Sequence, residues 1–164
     1  MSNQVPAWQG PILDNHFHLN RNGRYLDAAH DFKRAGGTNI VLIHCPDFAS
    51  PPTTKEGHRA AYQNTIAMAE SVRTELDLHV RVVLGPHPAA FAHQFIEWVE
   101  QEGAKGKNRA IENYRDSIDE AVKFYHEGKA HAIGEVGRPH WEVSQEIWDL
   151  SNDLLCETMS LAAN

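Results

Sequence analysis

Two kinds of apolar pattern alternate along the chain, and together they predict a parallel α/β fold. Short, nearly continuous apolar runs such as "TNIVLIH" and "VRVVLG" are typical of strands that are covered on both faces. They predict strands at residues 12–16, 38–44, 80–85 and 130–136. Between these runs, apolar residues recur every three or four positions, as they do in helices. Strands that alternate with helices favour parallel pairing, in an open sheet or in a (β/α) barrel.

Capping residues and chain breakers predict where the helices begin and end. Thr53 or Thr54 caps the second helix, and Pro88 begins the third. The segment "GAKGKN" is expected to end that third helix, with Asn108 capping a fourth. Ser144 is expected to cap the last helix.

Composition and charge narrow the class of protein. A chain of 164 residues with 41% hydrophobic and 23% charged residues is long enough for one ordinary domain with a core. The net charge of −7 disfavours a protein that coats nucleic acid through a basic face. The two cysteines, Cys45 and Cys156, are far apart in sequence, so we expect no disulfide framework, and from the pattern of the first residues we expect no secretion signal. We therefore expect a cytoplasmic protein with no membrane partner.

Side chains that can bind metal or transfer protons follow every predicted strand at its carboxyl end. In parallel α/β folds this edge of the sheet carries the functional site. No glycine-rich dinucleotide or phosphate loop follows any strand, so a nucleotide-cofactor site is not predicted. The candidates, in strand order, are Asp14, His16 and His18; His44, Cys45 and Asp47; His87; and Glu135, Arg138 and His140.

His16 and His18 stand at alternate positions, so in a strand their imidazoles point to one side and can share a divalent ion. Asp14 has the same parity and could accept a ring N–H from one of them. A chance His-x-His on a loop is the alternative. Glu135, inside the apolar "AIGEVG", should be buried and therefore paired or metal-bound, with a salt bridge to a buried arginine as the alternative.

The remaining candidates have both a functional and a structural interpretation. His87 either contacts substrate or caps a helix, and Arg138 either clamps an anion or forms a salt bridge at the rim. His44 and Cys45 are adjacent, so at most one of them faces inward. Four histidines on predicted helices are expected to face solvent, namely His30, His58, His93 and His126.

The segments "DNHFHL", "GPHP" and "GEVG" together resemble the TatD family of metal-dependent hydrolases, within the amidohydrolase superfamily. The longer "GEVGRPHW" is most similar to an archaeal TatD-related branch, although Arg138-Pro139 stands where the common form has Leu-Asp. The resemblance implies a (β/α)8 barrel, of which residues 1–164 would form one α/β unit with about the first four to five βα repeats.

By the same resemblance, His16, His18 and Glu135 would bind one or two divalent ions, Zn, Mn or Mg. From their places at the strand ends, Glu135 and His87 are the candidate catalytic residues, and His87, Arg138 and His140 are the candidate substrate contacts. The implied reaction is deoxyribonuclease or phosphoesterase hydrolysis by a metal-activated water.

Two alternatives to that reaction stay open. The first is an amidohydrolase that acts on an amide or lactone, and the second is an incomplete half-barrel that binds metal or assembles. The expected substrate is a small molecule or phosphodiester. Nucleic acid is possible through a local basic patch at Arg138, Lys105 and Lys107.

The family's remaining metal ligands follow later strands, whereas this chain ends at Asn164. We therefore expect a truncated protein whose open sheet edge needs a second barrel half or a homo-oligomer.

Overall fold

Four parallel strands form one sheet in the order β1-β2-β3-β4 in the computed structural model, which describes residues 8–162. The expectation of no secretion signal concerns the N-terminal segment, most of which lies outside the described residues. The strands are β1 (Leu13–Phe17), β2 (Asn39–Ile43), β3 (His79–Leu84) and β4 (Ala132–Ile133). The helices are α1 (Tyr25–Arg34), α2 (Lys55–Leu76), α3 (Pro88–Glu102), α4 (Ala104–His126) and α5 (Gln145–Ala162). The predicted parallel α/β architecture is confirmed.

One face of the sheet is fully buried. Ile40 and Leu42 of β2, with Val82 and Leu84 of β3, are at most 1% exposed and belong to the main apolar core. On the other face Val41 and Val83 are half-buried, and only Ile43, at the carboxyl end of β2, is buried. The near-continuous apolar runs predict burial on both faces, whereas the described residues bury one.

A second apolar core lies between α3, α4 and α5. Its members include Phe91, Trp98, Tyr114, Ile118 and Leu154. This core supports the segment after β4, because Val136 and Trp141 pack against it. The two cores together hold the carboxyl ends of the strands in place.

Three predicted helix starts are confirmed. Thr54 accepts a hydrogen bond from the backbone N–H of Gly57 at 3.1 Å, and Pro88 occupies the first turn of α3. Ser144 Oγ accepts from the N–H of Ile147 at 3.3 Å. Thr54 and Ser144 each satisfy an N–H that the helix itself leaves unpaired, and Pro88 has no N–H to satisfy.

The segment "GAKGKN" breaks the helix at its first residue only, so the predicted break is too long and the predicted cap at Asn108 is wrong. Only Gly103, at φ 60°, separates the helices, and α4 already begins at Ala104 and continues through Asn108. A Cβ on Gly106 would lie 1.9 Å from the carbonyl oxygen of Trp98. Gly106 therefore lets the backbones of α3 and α4 touch, which a glycine in a helix can do without ending it.

The fourth strand is shorter than predicted, because the chain leaves the sheet at Gly134. The Gly134 N–H still donates to the carbonyl of Leu84 at 3.0 Å, but regular pairing stops at Ile133. A Cβ on Gly85 would lie 2.0 Å from the carbonyl oxygen of Gly134. This close approach brings the next residue, Glu135, to the carboxyl edge of the sheet.

Candidate metal centre

The pairing of β1 with β2 is irregular between Asp14 and Phe17. Asp14 pairs with Ile40 and Phe17 pairs with Leu42, so two residues of β1 lie opposite Val41 alone. An extra residue of this kind is a β-bulge, which shifts the alternation of side chains. Both Asp14 and Phe17 consequently share the face of the buried residues Ile40 and Leu42.

His16 and His18 lie on either side of Phe17 and therefore share the opposite face of the sheet. This agrees with the prediction that the two imidazoles point to one side. The prediction for Asp14 is wrong, because the bulge separates its parity from theirs. Asp14 Oδ1 accepts the backbone N–H of His16 at 2.9 Å.

Three ligand-type atoms converge at the carboxyl edge of the sheet. His16 Nε2 and His18 Nε2 lie 3.1 Å apart, and Glu135 Oε1 lies 2.9 Å from the first and 3.6 Å from the second. Ligands bonded tetrahedrally at the usual Zn distances lie about 3.3 Å from one another. The three atoms therefore have the mutual spacing of a metal's donor set.

The Nε2 atom of His18 directs a lone pair toward Glu135 Oε1 and His16 Nε2. Its Nδ1 lies 3.0 Å from the carbonyl oxygen of Ile43, which can only accept, so the ring proton is on Nδ1. Nε2 of the neutral ring is consequently free to bind metal. A backbone carbonyl behind a histidine in this way sets the tautomer of a metal ligand.

Glu135 supplies the strongest test of whether a cation fits. Its Oε1 is buried, yet it accepts no hydrogen bond from any residue among 8–162, although His16 Nε2 is close. A buried carboxylate oxygen without a partner is costly, and a bound cation removes that cost. Glu135 also has a left-handed backbone, at φ 63°, which costs of order 1–3 kcal/mol. The residues present therefore fit a divalent ion.

His87 performs the predicted capping role and also faces the centre. Its Nδ1 accepts the backbone N–H of Ala89 at 3.0 Å, so the neutral ring carries its proton on Nε2. Nε2 lies 3.7 Å from Glu135 Oε2. Burial lowers the pKa of His87 below its usual value, against the opposing charge of Glu135. His87 is thus a neutral N–H donor beside the three converging atoms.

The other predicted substrate residues, Arg138 and His140, each contact a tryptophan ring. His140 meets Trp141 edge-on, with 5.1 Å between ring centroids. The guanidinium of Arg138 lies 4.7 Å from the ring centre of Trp148, on α5. Their contact with substrate stays a prediction. Cys45 is exposed, whereas its neighbour His44 is buried, so only one of the two faces inward, as expected.

Sequence reasoning missed a buried polar network behind the centre. His44 Nδ1 contacts Thr65 Oγ1 at 2.8 Å, and Tyr62 hydrogen-bonds Ser117 at 2.6 Å. His44, Tyr62 and Ser117 line a cavity of about 30 Å³, which His87 also lines.

The expectation that His58 faces solvent is wrong, because it is 7% exposed and contacts Asn113 Oδ1 at 3.0 Å. The spacing of the α2 residues could have shown this. Positions 58, 62, 65, 69 and 72 form one buried stripe, and His58 is in phase with it.

Burial lowers the pKa of His44 from 6.5 to about 4, with smaller contributions from His58, His18 and His87. The unfolded chain binds this proton near pH 6.5 and the folded chain only near pH 4, so acidification between these values favours unfolding. Between about pH 7.5 and 5, the free energy of unfolding should fall about 2 kcal/mol more in the wild type than in His44→Gln. Urea unfolding across this range measures the difference.

The matched control for this experiment is His30→Gln, at an exposed histidine on α1. It should keep the pH dependence of the wild type. Equal pH dependence in His44→Gln and the wild type would show that His44 titrates normally in the folded chain.

Fold and centre together define a parallel α/β protein with a metal-type donor set at the carboxyl edge of its sheet. Residues 13–164 match the family model described as TatD related DNase. The chain belongs to this family of metal-dependent hydrolases. In the described part, no helix is both long and apolar enough to cross a membrane.

The chain is also similar to an uncharacterized protein of Methanocaldococcus jannaschii. The two are 28% identical over 155 residues, which cover 93% of this chain and 51% of the relative. The chain therefore spans about half the length of this curated relative. No solved structure matches it significantly.

Proposed function

We propose that this chain carries the metal centre of a hydrolase that cleaves phosphodiesters. His16, His18 and Glu135 are the proposed ligands, and His87 is the proposed donor to substrate. The observation that supports this most is the convergence of two imidazole nitrogens on a buried carboxylate oxygen without a hydrogen-bond partner in the described chain. Family membership supports the class of reaction.

Two imidazole nitrogens and one carboxylate oxygen suit Zn or Mn better than Mg, which prefers oxygen ligands. When bound, such an ion lowers the pKa of water and polarises a phosphoryl oxygen. His18 is held for binding by its bond to Ile43, and Glu135 by the backbone contact at Gly85.

Glu135 faces the proposed metal with one carboxylate oxygen and His87 with the other. Glu135 Oε1 faces the two histidines, and Oε2 faces His87 Nε2 at 3.7 Å. The Nε2–H of His87 can donate to a substrate oxygen that enters between the two groups. The neutral state of His87, favoured by burial, keeps this proton on the ring near neutral pH.

The activity, substrates and partners of the whole protein belong to the same proposal, because the chain spans about half the length of its relative. Further residues, from a longer chain or a second copy, would complete the ligand set and cover the open sheet face. A metal-binding module without turnover is the alternative outcome.

The test measures hydrolysis of bis(p-nitrophenyl) phosphate, a lactone and an amide, with protein stripped of metal and reloaded with Mn or Zn. We expect metal-dependent cleavage of the phosphodiester alone. His87→Ala should lower its kcat by about a hundredfold, the lower range for a proton donor, and leave metal affinity unchanged. Cleavage of the lactone or amide but not the phosphodiester would contradict the proposed reaction.

The control variant for His87→Ala is Thr54→Ala. Both remove a side chain that accepts an N–H at a helix start, so both should cost about 1 kcal/mol of stability. Only His87 contacts the candidate centre. An equal loss of kcat in the two variants would assign His87 a capping role alone.

A further inference from the structure

Phe48 is a half-exposed aromatic side chain beside the candidate metal centre. The residue is 50% exposed, and its ring meets the His87 ring edge-on, with 5.1 Å between centroids and 89° between planes. His87 in turn lies 3.7 Å from Glu135. A single imidazole ring therefore separates Phe48 from the carboxylate of the centre.

Phe48 stands at the tip of a tight turn that follows β2. Asp47 Oδ1 accepts the N–H of Ala49 at 3.0 Å, and the Asp47 carbonyl accepts the N–H of Ser50 at 3.1 Å. These are the bonds with which an aspartate shapes a turn. They hold the Phe48 backbone in place and leave its ring facing solvent next to His87.

The far end of the same loop is tied to the helices. The carbonyl oxygen of Pro52 accepts from Gln94 Nε2 and from Asn113 Nδ2, each at 3.1 Å. Both side chains are buried, and Asn113 is itself held by His58. A loop fixed at its tip and its end loses little conformational entropy when a ligand binds.

The charge of the loop shows how it could bind a ligand. Residues 45–54 contain no lysine or arginine, and the chain has a net charge of −7. This loop cannot attract a phosphate backbone by charge. A rigid, accessible aromatic ring can stack on a nucleobase, and such stacking tolerates any base.

We propose that Phe48 stacks on the base of a nucleotide whose phosphate is held at the candidate metal centre. The inference rests on the proposed function, with a nucleotide or the end of a short single strand as the phosphoester, and it assigns Phe48 to the base. The metal and His87 hold the phosphate, and Phe48 holds the base.

The contribution of the base to binding is measured with two probes, dAMP and 2-deoxyribose 5-phosphate. The second has the same sugar and phosphate but no base. Calorimetry with the Mn-loaded protein should show about tenfold tighter binding of dAMP, a typical gain for one stacked base. Phe48→Ala should remove this difference in affinity, because only the binding of dAMP becomes weaker. Phe48→Trp should retain the difference. In the Zn-loaded protein, whose ion is diamagnetic, adenine protons should show nuclear Overhauser contacts to the Phe48 ring.

The matched control is Tyr125→Ala. Tyr125 is also 50% exposed and also meets a histidine, His126, edge-on. It should bind both probes as the wild type does. Equal affinities of the two probes in the wild type, or an unchanged ratio in Phe48→Ala, would overturn the stacking role.

The same titrations separate the inference from the proposed function. If Mn and 2-deoxyribose 5-phosphate bind but dAMP gains nothing, only the stacking role is wrong. If neither Mn nor the sugar phosphate binds, the proposed centre and the stacking role are both wrong. A Phe48→Ala variant that changes sedimentation but not the affinity ratio would assign the ring to contact between chains.

Discussion

Glu135→Gln is expected to weaken binding of Mn or Zn by more than about a hundredfold, since loss of a mere supporting partner already costs 10–100-fold. The variant keeps the size of the side chain but removes the charge on the Oε1 atom that faces His16 and His18. Calorimetric titration of the metal-free protein measures the effect. His16→Ala and His18→Ala should weaken binding similarly.

The stability of the metal-free variant provides a second readout of the same change. An ionised carboxylate oxygen that is buried without a hydrogen bond destabilises the empty protein. Glu135→Gln should therefore leave metal-free stability equal or higher, while the wild type alone gains thermal stability from added metal.

Glu142→Gln serves as the control. Glu142 is an exposed glutamate on the segment that follows Glu135, and the variant should bind metal as the wild type does. Tight metal binding by Glu135→Gln would show that the carboxylate is not a ligand.

Gly106→Ala is expected to destabilise the chain by about 3 kcal/mol or more, the upper range for an overpacked site. The added Cβ would lie 1.9 Å from the carbonyl oxygen of Trp98 and 2.9 Å from the backbone nitrogen of Val99. Backbone atoms cannot rotate away, so α3 and α4 must separate. Thermal unfolding should show a midpoint lowered by about 6–12 °C.

Gly128→Ala is the matched control for Gly106→Ala. Gly128 follows the other end of α4 at φ 70°, and a Cβ there meets nothing within 4 Å. It should cost only the backbone strain of a left-handed alanine, about 1–2 kcal/mol. Equal losses in the two variants would mean that the helices do not depend on close approach at Gly106.

The alternation of residues was enough to predict most of the centre. His16 and His18 share a face because Phe17 between them packs into the core. Glu135 was expected to be buried because apolar residues and glycines surround it. Both inferences use only local periodicity and the cost of burying charge, which the sequence displays directly.

The parts that failed depend on contacts between distant residues. The parity of Asp14 changed because β1 has one more residue than its partner between two pairings. Gly106 looked like a helix breaker, whereas its role is set by the backbone of Trp98 on another helix. Neither the bulge nor the helix contact leaves a local pattern in the sequence.

The wrong prediction that His58 faces solvent has a different cause, because the spacing of apolar residues on α2 already indicates that this position is buried. It precedes Tyr62 by four positions on α2, in phase with the buried stripe. Treating histidine as a polar surface residue hid this. The buried network that it forms with Asn113 also holds the loop of Phe48.

The central claim is that His16, His18 and Glu135 bind one divalent ion together. Anomalous diffraction from crystals of the protein grown with Mn tests it most directly. We predict one strong peak bonded to His16 Nε2, His18 Nε2 and Glu135 Oε1, absent in crystals of Glu135→Gln. A Mn peak held by other residues, with these three atoms left without an ion, would contradict the account.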